Sequence, residues 1–318
     1  MLELKRYYAD SGIADNTNAF MDEFEIGAGD PRNLSDCFQV FSIAHALTTT
    51  PEALSIATSL TLKEFEDDGC CYIELRSTPR DTPYMNKRQY IESIVMAMQK
   101  SCEKLNIVSR LIISINRNSL VPEVEEISSL AIDFFKSHPD VVVGIELSGN
   151  PNVGKFEEFI PSLMKAREAG LKITLHCGEV SNPTEIKKML LFKPERIGHA
   201  ICIHPKFGGN DDIWSLLCDF KIPVEVCLTS NVNTKSIPDY NSHHFKVLYD
   251  AGIPLILCTD DKGVFSTSLS HEYMWCMETF GLNQLQVTKM AFEAIDYIFA
   301  RGEVREILKS KFNSFVNQ

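Results

Sequence analysis

Residues 174–180 read TLHCGEV, where an apolar run ends in a histidine with a glutamate three residues later. A buried carboxylate is costly without a partner, and ordinary strands end in turn residues. The pattern recurs along the chain. His199 closes RIGHAI (196–201), Thr229, Ser230 and Asn231 close PVEVCLTSN (223–231), and Asp260 and Asp261 close PLILCTDD (254–261). Upstream, Arg76, Ser77 and Arg80 follow CCYIELRS (70–77), Asn116 and Arg117 follow RLIISIN (110–116), and Ser148 and Gly149 end VVVGIELSG (141–149). Each polar end has a plain explanation on its own. HxxE can cap a strand end, a double Asp can make a turn, and His199 can satisfy a backbone carbonyl. Seven such ends, with two histidines, a glutamate and a double aspartate among them, describe a reaction centre. The chemistry they suit is metal-assisted hydrolysis. His176 and Asp260 offer N and O donors that fit zinc, an ion that brings the pKa of bound water towards neutrality. Glu179, His199 and Asp261 would handle protons around it.

Such ends need a scaffold. Between the apolar, β-branched runs lie helix-period segments such as YIESIVMAMQKSCEKL (90–105), with apolar residues every three to four positions. Uniformly apolar strands predict a parallel sheet covered on both faces. Repeated strand–helix units over this length predict a (β/α)₈ TIM barrel, in which active-site residues stand at the C-terminal strand ends. Only seven strands are found where closure takes eight. Residues 1–31 read as an irregular or partly ordered start, 33–67 as helical and 68–318 as repeated β/α units. No linker, internal repeat or low-complexity segment divides residues 1–318, so one domain is expected.

Bulk properties narrow the function further. The chain has 318 residues, 44% hydrophobic and 23% charged, with a net charge of −12. That charge argues against a nucleic-acid partner, which calls for clustered Lys and Arg. No stretch is long and apolar enough to span a bilayer, so no membrane partner is expected, and the N-terminus lacks a signal-peptide core. Ten scattered cysteines without a secretion signal read as reduced thiols in a cytoplasmic protein. Walker and dinucleotide glycine patterns are absent. So is the H-x-E with P-C-x-x-C signature of the other zinc deaminase class.

HCGE (176–179), RIGHA (196–200), CLTSNVNT (227–234) and LCTDD (257–261) resemble the adenosine deaminase family of amidohydrolase barrels, in the same order. ELRSTPR (74–80), ELSGNP (146–151), DYNSHHF (239–245) and DDKGVFSTSLSHEY (260–273) resemble its adenosine deaminase-like branch, which deaminates N6-methyl-AMP. The resemblance runs from about residue 33 to the end. It implies one Zn²⁺ per complete chain, with His176 and Asp260 as ligands. Glu179 would protonate N1 of the purine, and His199 and Asp261 would orient the attacking hydroxide. His45, Ser77, Thr78, Pro79, Arg80, Asn116, Gly149, Glu179 and Asp261 would contact the substrate, a small purine nucleotide. Asn116 stands where relatives can carry Asp. The product would be IMP plus an amine, and the enzyme a monomer of the cytosol.

The family also begins with a strand that ends in His-x-His, supplying two further zinc ligands. None of the eight histidines here forms that motif. The missing strand and the missing ligands are together expected to mean that this chain starts after that strand, as an alternative start, a splice form or an incomplete gene model. Alternatives therefore stay open: plain adenosine or AMP as substrate, a non-catalytic truncated isoform, or another amidohydrolase acting on a carbonyl. Arg80 and Lys262 are the hints of a phosphate. Cys177 reads as apolar filler, and His243 and His244 as surface or packing residues that point apart.

Overall fold

A computed structural model describes residues 2–11 and 24–316. The start, expected to be irregular or partly ordered, opens with helix α1 (Leu2–Ser11). Leu4 and Tyr8, four residues apart on one face, are buried with Ile43, Leu47 and Ala53 of the following segment. Residues 12–23 of that start lie outside the described residues.

The helical reading of 33–67 resolves into α2 (Leu34–Ala46) and α3 (Pro51–Asp67). Asn33 and Asp36 form a capping box at the first, while Thr50 caps the second with Pro51 in its first turn. Strands and helices then alternate: β1 (Tyr72–Ser77), α4 (Lys87–Cys102), β2 (Val108–Asn116), α5 (Val121–Ser137), β3 (Val142–Ser148), α6 (Phe156–Glu168), β4 (Lys172–Cys177), α7 (Pro183–Phe192), β5 (Arg196–His199) and α8 (Asp211–Phe220). Next come β6 (Val224–Val226), α9 (Leu228–Asn233), α10 (Phe245–Asp250), β7 (Leu255–Leu257), α11 (Lys262–Phe265), α12 (Leu269–Phe280), α13 (Gln284–Ala294) and α14 (Gly302–Val316). The expected strand at 223–231 therefore stops at Val226, and its second half is helical. The buried Glu272 carboxylate, brought in by α12, accepts the Thr229 N–H at the start of α9. It satisfies a helix-end donor that no neighbour in sequence reaches.

All seven strands run parallel in the order β1 to β7. Among the described residues β1 and β7 do not pair with each other, so the sheet is a curled half-barrel with two free edges. Ion pairs cross its interior. Arg76 on β1 meets Glu146 on β3 at 2.6 Å and also pairs with Glu225 on β6. Arg196 on β5 reaches Glu74 on β1 at 2.5 Å and Glu225 at 2.6 Å. Beneath this lattice Phe299 stacks under Arg196, 3.6 Å from ring centre to guanidinium carbon, and its N–H binds Glu74 at 2.5 Å. No helix among the described residues is long and apolar enough to cross a membrane.

Glu146 reports on this lattice. Burial alone would raise its pKa, but Arg76 and His176 outweigh it and hold the carboxyl down to about 2. A carboxylate depressed on folding stabilises the fold above its unfolded pKa, ~4.5, and loses that contribution as pH falls towards 2. In urea titrations between pH 7 and 2, Glu146→Gln is expected to cost about 3 kcal/mol at pH 7, because it leaves Arg76 short of a partner. It should also flatten the loss of stability below pH 4.5 that the parent chain shows. An unchanged slope would mean that the lattice does not carry the acid sensitivity.

Candidate active site

The C-terminal ends of the strands bring His176, Glu179, His199 and Asp260 into one centre. His199 Nε2 stands 3.5 Å from Glu179 Oε1 and 3.9 Å from Asp260 Oδ2. The His176 and His199 rings lie 4.9 Å apart. Two of these residues leave their strands in the left-handed region, His199 at φ 63 and Asp260 at φ 54. That conformation is costly for non-glycine residues and persists only where surrounding contacts impose it. Here Ser230 donates to Asp260 Oδ2 at 2.8 Å, Asn231 donates to His199 Nδ1 at 3.0 Å, and His244 Nε2 donates to the His199 carbonyl at 2.7 Å.

The electrostatics favour positive charge at His176. Burial opposes protonation, yet Glu146, 2.9 Å from Nδ1, pulls the pKa up to about 9. The contact is out of line for a hydrogen bond, so Nδ1 is a buried nitrogen without a directed partner. Desolvation and the charge of Asp260 raise the Asp261 carboxyl to about 7. Asp261 is exposed, so solvent weakens both effects and the upward direction is what stands. Cys177 is buried beside His176 with its thiol pushed up to about 12, which suits a filler and not a nucleophile. Beside Glu179 a cavity of about 260 Å³ opens, lined also by Phe38, Asn150, Thr234 and Lys235.

The remaining expected contacts form a second group at the end of β1. Ser77 Oγ lies 2.9 Å from the Tyr90 hydroxyl, and Arg80 binds the same hydroxyl at 3.1 Å. Arg80 also donates to the His45 carbonyl at 3.1 Å and to Thr48 Oγ1 at 2.6 Å, tying this loop to the end of α2. Pro79 is buried and Thr78 half-buried between them. Lys262 pairs with Glu64 at 2.9 Å. Both cations taken as phosphate hints thus already have protein partners. Asn116 and Gly149 abut at the ends of β2 and β3. Gly149 has φ +96, and a Cβ there would meet Asn116 Oδ1 at 2.6 Å.

Four residues near the centre, Glu146, Cys227, His243 and His244, were not among those expected there. Glu146 could have been flagged as the one charge inside VVVGIELSG. Cys227 puts its sulfur with His199 and Asp260 donor atoms, all within 4.8 Å of one another. His243 and His244 are buried packing residues, one of the two placements expected, but their rings stack at 4.4 Å instead of pointing apart. Their DYNSHHF segment folds back under β5, a long-range placement that spacing alone does not show.

The adenosine deaminase family model matches residues 1–314. The chain belongs to the adenosine deaminase family. Human N6-methyl-AMP deaminase is 42% identical over 292 residues, covering 91% of this chain and 82% of the relative. Arabidopsis thaliana N6-mAMP deaminase is 40% identical over 339 residues, covering 99% and 92%. The apo structure of the Arabidopsis enzyme superposes with a TM-score of 0.85 at 40% identity, covering 98% of this chain and 91% of that one. An Arabidopsis structure complexed with IMP gives 0.87 at 39% identity with the same coverage. An adenine deaminase from Arthrobacter aurescens shares the fold, with a TM-score of 0.84 at 18% identity.

Membership of this deaminase family implies a metal cofactor. Imidazole and carboxylate, the donor types of His176 and Asp260, suit a borderline divalent ion, while the donor atoms that come within 4.8 Å of one another are those of His199, Cys227 and Asp260. Catalytic zinc typically takes three protein ligands. The sequence contains no His-x-His.

At the ends of β2 and β3, Gly149→Ala is expected to displace Asn116 and strain the backbone, costing about 1–3 kcal/mol. Denaturant titration should show a lowered midpoint with an unchanged m-value. A midpoint equal to the parent's would mean that the Gly149–Asn116 contact is not close.

Proposed function

We propose that the chain is a zinc-dependent aminohydrolase that converts N6-methyl-AMP and water to IMP and methylamine. One observation carries the reading: the carboxylates of Glu179 and Asp260 both lie within 4 Å of His199 Nε2, with His176 and Asp261 beside them. Relatives about 40% identical over nine-tenths of the chain, named as N6-methyl-AMP deaminases, support the substrate. Purine nucleotides in related structures, IMP and GMP, support the nucleotide class.

In this reading His176 and Asp260 hold the ion, which when bound supplies a more acidic water and a Lewis acid. Glu179 gives a proton to purine N1 and so makes C6 more electrophilic. His199 and Asp261 orient the attacking oxygen, and Asp261 takes up its proton. As the C6–O bond forms, C6 becomes tetrahedral. Cleavage of the C6–N6 bond then expels methylamine, which carries away a proton. His45, Ser77, Thr78, Pro79, Arg80, Asn116 and Gly149 line the nucleotide side of the pocket.

A second reading, a form that binds nucleotide without turnover, is favoured by the absence of a His-x-His ligand pair from the sequence.

The purified chain should carry zinc by elemental analysis and release methylamine from N6-methyl-AMP faster than ammonia from adenosine. Glu179→Gln should lower that turnover by at least ~100-fold. Zinc-free, folded protein that binds IMP but releases no amine would decide for the second reading. Equal rates on adenosine would remove the nucleotide preference.

A further inference from the structure

His199 sits at the end of a hydrogen-bond chain whose direction is set by a backbone amide. The Phe245 N–H donates to His243 Nδ1 at 3.0 Å. A backbone nitrogen can only donate, so Nδ1 of His243 is an acceptor and its proton lies on Nε2. Burial, with His244 and His199 nearby, keeps this ring neutral. Nε2 faces Asn231 Oδ1 at 3.3 Å, which orients the amide with its NH₂ towards His199 Nδ1 at 3.0 Å. Nδ1 of His199 is then also an acceptor. Its proton must sit on Nε2, the atom that faces Glu179 and Asp260. Asn231 and His243 are both buried, so no bulk water reverses the sequence of donors.

We propose that Asn231 and His243 are positioning residues that lock His199 as the Nε2–H tautomer, presenting a hydrogen-bond donor to the reaction centre. His199 in this state holds an oxygen in place; it does not begin by removing a proton. The proposal about the tautomer stands on the hydrogen bonds alone, while its consequence for catalysis rests on the deaminase reading above. Asn231→Asp is the informative change. A carboxylate only accepts, so it would draw the proton to Nδ1 and leave Nε2 a bare lone pair. The equivalent exchange of carboxylate and amide beside a catalytic histidine elsewhere costs ~10⁴-fold in kcat through the wrong tautomer.

The test uses the full chain labelled with ¹⁵N-histidine, in long-range ¹H–¹⁵N spectra at about pH 8, above the ordinary imidazole range. His199 is assigned by the signals lost in His199→Gln. Parent protein is expected to show an unprotonated Nδ1 and a protonated Nε2 at His199. Asn231→Asp should invert them, and His243→Phe, which frees the amide to rotate, should give a mixture. Where turnover is present, Asn231→Asp should lower kcat by ~10²–10⁴-fold with KM changed less than about threefold. A protonated Nδ1 in the parent overturns the proposal without reference to activity. So does an unaltered pattern in folded Asn231→Asp. The expected tautomers in a parent that releases no amine would leave the proposal standing and count against the deaminase reading.

Discussion

Two guanidiniums and three carboxylates share the interior of the curled sheet, and most of the site depends on that lattice. Arg76 and Arg196 each bridge strands that are not neighbours, so their ion pairs draw β1 towards β3, β5 and β6 where hydrogen bonds do not. Charges this deep are tolerated only as a connected set, since removing one partner strands another. The set is also unequal. Glu74, Glu146 and Glu225 bring three negative charges against two positive ones, and the excess faces His176 through Glu146. The lattice therefore curls the sheet and makes the head of β4 a place where positive charge is stabilised.

Above the lattice, the strand ends impose geometry at some cost. Left-handed backbone at His199, Ala200 and Asp260 turns these residues out of their strands and into one space. The strain is held by polar contacts from the segments after β6, namely Ser230, Asn231 and His244. Of these, α9 is anchored remotely by the Glu272 carboxylate, and the His243 ring locally by the Phe245 amide. The side chains at the centre are thus placed by a supporting layer of hydrogen bonds, the kind of arrangement that keeps a site preorganised.

The end of β1 has a different character. Arg80 binds a tyrosine hydroxyl, a threonine hydroxyl and a helix-end carbonyl, so it serves as a strut between the sheet and α2. The side of the pocket expected to take the nucleotide is consequently built from a braced loop, and any phosphate bound there must share Arg80 with these oxygens.

Much was legible in the sequence because it is local. The seven strands, the helices between them and the polar strand ends follow from apolar periodicity and from residues too costly to bury without a task. The order of HCGE, IGHA and CTDD located Glu179, His199 and Asp260, which do come together. What the sequence could not show depends on residues far apart in the chain meeting: the helical end of the 223–231 segment, capped by Glu272; the partners of Arg80 and Lys262; and the burial of His243 and His244 under His199. Glu146 belongs with these, since the pairing of β3 with β4 brings it to His176. The sequence by itself determined which chemical groups stand at the strand ends, because each strand's end is written in its own residues. Only the tertiary structure decided which of them meet, which proton each carries and what holds them, because those depend on contacts between distant segments.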